Sequence, residues 1–160
     1  MISRWSTVSL FILVMFILSV TVLSLTNRQI PASLFAASEK SSPHDWVKEE
    51  QIKVYPDKIV LEIPNALWAG FTDTNSMDPF LDAEANAIEI KPQNHDSIQV
   101  GDVIAYTSKY GVGTIVHRVV QKGQDAEGTY YLVRGDNTTI SDPFKVRYDQ
   151  VEGVVVAVIY

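Results

Sequence analysis

The chain has 160 residues, a net charge of -6, 46% hydrophobic residues and no cysteine. That length suits one domain with a modest core, and the lack of cysteine excludes a disulfide scaffold, a thiolate zinc site, an iron–sulfur cluster and a cysteine nucleophile. Arg4 and Arg28 are the only charged side chains among the first 28 residues, so the other 132 carry 11 basic against 19 acidic groups with no basic run, which argues against nucleic acid as a partner.

Between those two arginines lie 23 uncharged residues, and Val8 to Leu25 is interrupted only by Ser9, Ser19, Thr21 and Ser24. A helix needs roughly 20 such residues to cross a bilayer core of about 30 Å, so residues 1–28 read as an N-terminal membrane anchor. A cleaved signal peptide has a shorter apolar core close to a small-residue cleavage site, whereas Ala36-Ala37-Ser38 lies well beyond Leu25. The retained anchor is therefore favoured over a cleaved leader or a buried core helix. Arg4 and the amino terminus tip the positive-inside balance slightly toward a cytoplasmic N-terminus, which puts the rest of the chain on the extracytoplasmic side.

Residues 29–56, with Pro31, Ser41-Ser42-Pro43 and mixed charges, read as a tether. Within it, Trp46 is expected to make an ordinary packing contact and His44 to be a solvated loop histidine. From 57 to 160 the apolar residues come in short runs bounded by turn formers, a spacing of strands rather than helices. Ile59 to Ile63, Ala66 to Phe71, Ala87 to Ile90, Val103 to Thr107, Thr114 to Val120, Thr129 to Val133 and Val154 to Ile159 are the predicted strands. They imply a mainly β domain, a folded-over antiparallel sheet or barrel behind the one transmembrane helix. Tyr110 to Gly113 and the polar Gln121 to Gly128 are predicted hairpin loops.

Three segments hold residues able to do chemistry. Thr72 to Leu81 follows a strand and contains Thr74, Ser76 and Asp78-Pro79; by itself it reads as a strand-to-loop turn capped by Ser76. His117 lies in the β-branched run Thr114 to Val120, on the face of Ile115 and Val119, and needs a hydrogen-bonding partner if buried; alone it reads as a satisfied core histidine. Arg134 to Pro143 places Asp136 and Asp142 near one loop. His95, in a polar segment, reads as a solvated loop residue, and Lys109 and Lys122 as solvated charges at or near loops.

Taken together these segments resemble the type I signal peptidases. Ser76-Met77-Asp78-Pro79 looks like their Ser-Met-x-Pro box, Ile115-Val116-His117-Arg118-Val119 like their general-base box, and Gly135-Asp136-Asn137 followed by Asp142 like their third box. The chain order, the last strand from Val151 and the N-terminal anchor agree. Histidine rather than lysine before Arg118 is similar to the archaeal and endoplasmic-reticulum-like branch.

The resemblance implies a Ser-His-Asp endopeptidase that cuts signal peptides from exported preproteins. Ser76 would be the nucleophile, His117 the general base and Asp142 the orienting carboxylate, with Asp136 as reserve or structural partner. The Ser76 N–H and the Thr74 hydroxyl would be oxyanion donors. No cofactor or metal is implied, and the partners are preprotein signal peptides and the lipid bilayer. In such an enzyme Ser76 Oγ should lie about 2.6 to 3.2 Å from a His117 nitrogen, or somewhat further without substrate.

Asp82 to Gln99 departs from the family pattern as a polar, acidic insertion that bears on the shape of any substrate groove. A membrane-tethered β module that binds a peptide without cutting it is the alternative. A self-cleaving repressor-like domain fits less well, since those pair serine with lysine and lack an anchor. Arg134-Gly135-Asp136 spells an integrin-binding tripeptide and Asn137-Thr138-Thr139 a glycosylation sequon, but both fall inside the third box, which explains them better.

Overall fold

The computed structural model describes residues 12–19, 40–109 and 113–160. Residues 12–19 are helical; the remainder of the segment read as an anchor lies outside the described residues. No helix among the described residues is long and apolar enough to cross a membrane. The chain divides into two compact units, Met1–Glu39 and Lys40–Tyr160, and the second carries every strand described below.

That unit is mainly β and its strands pair antiparallel throughout. In chain order they are β1 (Ile52–Val54), β2 (Ile59–Leu61), β3 (Leu67–Gly70), β4 (Asn86–Ile90), β5 (Val103–Thr107), β6 (Thr114–Asp125), β7 (Gly128–Arg134), β8 (Val146–Arg147) and β9 (Val151–Ile159). β1 and β2 form a separate hairpin; the other seven make one sheet in the order β3-β4-β9-β5-β6-β7-β8. The last strand is thus inserted between β4 and β5. Among the described residues β3 and β8 are unpaired on their outer edges, so the sheet is open and the barrel form of the sequence expectation is not found.

Valine and isoleucine fill the central strands because branched side chains fit a pleated surface buried on both faces. Along β5 the two-residue period sends Ile104 and Tyr106 to one apolar cluster, with Val119, Val133 and Val154, and Val103 to the other, with Met77, Leu81, Ala87 and Val155. Each fully buried aliphatic side chain of this kind contributes roughly 1.5–3 kcal/mol. The second cluster fixes the Ser76 segment, because Met77 and Leu81 are its own residues.

Two departures from expectation matter for the site. The segment from Asp82 to Gln99, read as a polar insertion, not only forms the strand predicted within it, β4, but sends Ala85, Ala87 and Ile98 into the core. The segment read as a tether is, from Lys40 onward, part of the folded unit. There Asp102, fully buried, accepts hydrogen bonds from the His44 backbone N–H at 3.0 Å and the Trp46 Nε1–H at 3.1 Å, and pairs with His44 Nδ1 at 2.9 Å. His44 is therefore bound to the domain rather than free in solvent, and Trp46 makes the packing contact expected of it. Gly101 permits this docking: a Cβ there would overlap the backbone carbonyl of Ser42.

Candidate active site

The loop after β3 is held by the loop after β7. The Asn137 N–H donates to the Ser76 carbonyl at 3.0 Å and the Asn137 side-chain amide to the Asn75 carbonyl at 2.9 Å. Asn75 takes a positive φ of 55°, a conformation that asparagine tolerates better than most residues. Below it, the Phe80 and Leu81 N–H groups donate to the Met77 carbonyl at 2.9 and 3.0 Å, closing a turn over the apolar cluster. Gly135 lies between the two loops and His117. A Cβ on it would overlap the Ser76 carbonyl oxygen and stand 3.1 Å from His117 Nε2, so glycine is what lets the imidazole approach the Ser76 main chain.

His117 sits in β6 opposite Ile104 of β5. Its Nδ1 is 3.0 and 3.1 Å from the two oxygens of Asp142, and both side chains are nearly buried, at 12% and 14% exposure. The same carboxylate accepts a hydrogen bond from the Tyr106 hydroxyl. Burial alone would disfavour the Asp142 charge, but the hydrogen bonds from His117 and Tyr106 outweigh it and hold its pKa below the usual aspartate value. An ionised carboxylate only accepts, so the Nδ1–H donates to Asp142, and a ring carrying that proton alone has its lone pair at Nε2. That nitrogen is the one against Gly135.

Asp136 is not at the imidazole. It forms a forked ion pair with Arg118, from Nε at 2.8 Å and NH2 at 2.6 Å, and the Arg118 hydrogen bonds lower its pKa. Arg118 also donates to the Gly101 carbonyl at 2.8 Å and lies over the Phe80 ring. Between neighbours on β6, therefore, His117 takes one acid of the loop and Arg118 the other. Lys122, expected near a loop as a solvated charge, lies within β6 and donates to the carbonyls of Asp96 and Ile98.

Ser76 Oγ is paired with Thr74 Oγ1 at 3.1 Å, and no hydrogen bond joins it to His117 among the described residues. The short approach expected from the sequence is thus absent, because the hydroxyl is satisfied within its own loop. Ser76 and Thr74 line a cleft of about 430 Å³ together with Ala69 to Phe71, Thr114 to Val116, Glu89 and Glu152. Among the described residues no group of three or more His, Asp or Glu is placed to hold a metal ion. Comparison with protein-family models, with curated proteins and with solved structures returned no match.

Sequence reasoning named Ser76, Thr74, His117, Asp136 and Asp142 but missed Tyr106, Glu89 and Glu152. The signal for Tyr106 was there: in a strand that pairs with the His117 strand, it is two residues from the position facing His117 and so shares its face. Chemically, the arrangement offers an imidazole oriented through Nδ1, a carboxylate that stabilises the ring once it is doubly protonated, and an alcohol in an adjoining cleft.

Proposed function

We propose that the protein is a membrane-anchored serine endopeptidase, similar to type I signal peptidases, that cleaves signal peptides from exported preproteins through an acyl-enzyme. The observation that carries this reading is the His117–Asp142 pair with Nε2 turned to Gly135 and the Ser76 main chain. In the reaction Ser76 Oγ leaves Thr74, gives its proton to His117 Nε2 and attacks the scissile carbonyl; the imidazolium then protonates the leaving amine, and water repeats the sequence on the ester. Asp142 stabilises the imidazolium throughout. The oxyanion is received by the Ser76 N–H and the released Thr74 hydroxyl. β3 has an unpaired edge beside the cleft, where an extended substrate can add as a further strand. An anchor in the bilayer keeps the site close to substrates whose own apolar segment lies in the same membrane.

The test is cleavage of a model preprotein by the full chain in detergent, with Ser76→Ala and His117→Ala beside it. Cutting at one small-residue site that is lost in both variants is the expected result; cutting that survives Ser76→Ala removes the nucleophile from this scheme. The Ser76–Thr74 pairing favours a second reading, a tethered module that binds peptides without cutting them. Peptide binding without cleavage by the folded wild type would establish that reading instead.

A further inference from the structure

Two acids, Glu89 and Glu152, line the cleft, and one of them is unusually placed. Glu89, on β4, is only 9% exposed, lines the cleft, and accepts no hydrogen bond from any described residue. Its Oε2 packs on Gly153, where a Cβ would stand 2.8 Å away. Burial and the neighbouring Glu152 both raise its pKa, as expected for a carboxyl without a donor beside a like charge. Glu152, exposed on β9, is held in place by the hydroxyls of Thr107 and Thr114, the latter at 2.7 Å. Lys91 acts on Glu152 through space and donates its ammonium to the Val151 carbonyl.

A largely buried carboxyl that borders the cleft without a donor from a described residue takes its hydrogen bonds from what fills the cleft, water in the free protein and ligand groups when one binds. Whatever fills the cleft supplies the missing donor, and the charge on Glu152 favours a cation over a neutral amide or hydroxyl. Two carboxylates with no third ligand are too few to bind a metal well, whereas an ammonium or guanidinium can be held by such a pair. Thr114, which bonds Glu152, is three residues from His117 on the same strand, or roughly 10 Å. A substrate lying extended in the cleft covers that distance in about three residues.

We propose that Glu89 and Glu152 form a specificity site for a lysine or arginine of the bound peptide, about three or four residues from the bond presented to Ser76. The position relative to a cleaved bond rests on the peptidase reading; the preference for a basic peptide does not.

Binding is therefore measured without catalysis, on the full chain carrying Ser76→Ala in detergent at fixed salt. The probes are fluorescein-labelled peptides of one preprotein cleavage region with Lys, Met or Glu placed in turn at the third and fourth residues on either side of the cut. At one of these positions Lys should bind about tenfold more tightly than Met, and Glu more weakly than both. Adding Glu89→Gln, Glu152→Gln or both should bring the Lys-to-Met ratio toward one, whereas the exposed Glu50→Gln should leave it intact. Equal affinities for Lys and Met, a ratio that survives the double change, a ratio lost equally in Glu50→Gln, or no peptide binding overturns the proposal. Cleavage by the unmodified chain with no Lys preference in binding ends this proposal and leaves the peptidase standing. A Lys preference in binding with no peptide cut does the reverse.

Discussion

His117 and Arg118 point to opposite faces of one strand, as adjacent residues must, and divide the two aspartates of one loop between them. This assigns different consequences to two chemically identical substitutions. Asp142→Asn should lower kcat by about a thousandfold or more, because the amide stabilises the wrong imidazole tautomer and leaves the imidazolium without a countercharge. Asp136→Asn should act mainly on stability, by about 2–3 kcal/mol, by leaving the nearly buried Arg118 guanidinium underpaired. Steady-state kinetics beside denaturant titration separates the two, and the reverse ranking would exchange their roles. Both carboxyls have lowered pKa values in the fold, so their contributions are complete above the unfolded aspartate value near 3.9 and are lost as pH falls toward the lower folded values. The sequence alone left Asp136 and Asp142 as alternatives, since spacing along a loop does not say which acid reaches which side of the neighbouring strand.

β5, a branched run buried on both faces, has the predicted limits, and β3, β4 and β7 lie within about one residue of theirs because turn formers bound them. β6 runs on to Asp125, past its last buried residue Val119, because Gln121 to Asp125 pair with Leu132 to Gly128 through their backbones while bearing side chains with no apolar pattern. β1 and β8 are too short, at three and two residues, for a period to register. Within β4, alternation was readable but its meaning was not, since Glu89 takes a buried position between Ala87 and the end of the strand. Its pKa is raised in the fold, first by burial and then by Glu152, so the native state holds this proton more tightly than the unfolded chain. The cost of ionising it is absent below the unfolded glutamate value near 4.5 and grows as pH rises from there through the raised folded value. Glu89→Gln should therefore melt at or close to the wild-type temperature at pH 4 and a few degrees above it at pH 7. Equal melting temperatures at pH 7 would mean that the carboxyl finds a donor in solution.

At the scale of the molecule, the folded unit begins at Lys40 rather than at the position where the apolar pattern starts. No hydrophobic period marks residues 40–46, because their attachment is polar: a single buried carboxylate, Asp102, gathers His44 and Trp46, and the Gln99 N–H donates to it as well. A fragment of residues 40–160 should fold cooperatively, whereas one of residues 57–160 leaves Asp102 with a much reduced set of donors and should lose about 3 kcal/mol or more. Thermal unfolding of the two fragments checks this, and equal stability would show that the segment only rests on the surface. What the sequence did convey at this scale was which segments to watch: those of Ser76, His117 and Gly135, separated in the chain, meet around Gly135.

The open edge of β3 has a cost in solution behaviour. Leu67 is 61% exposed and Trp68 70% exposed on that strand, and its outer backbone groups have no sheet partner among the described residues. An edge able to accept a substrate strand is equally able to accept the same strand from a second molecule. A concentrated preparation would then lose sites to pairing between its own copies, so the fraction of the protein available for work would fall with concentration, and a lysine in place of Leu67 would be the simplest deterrent.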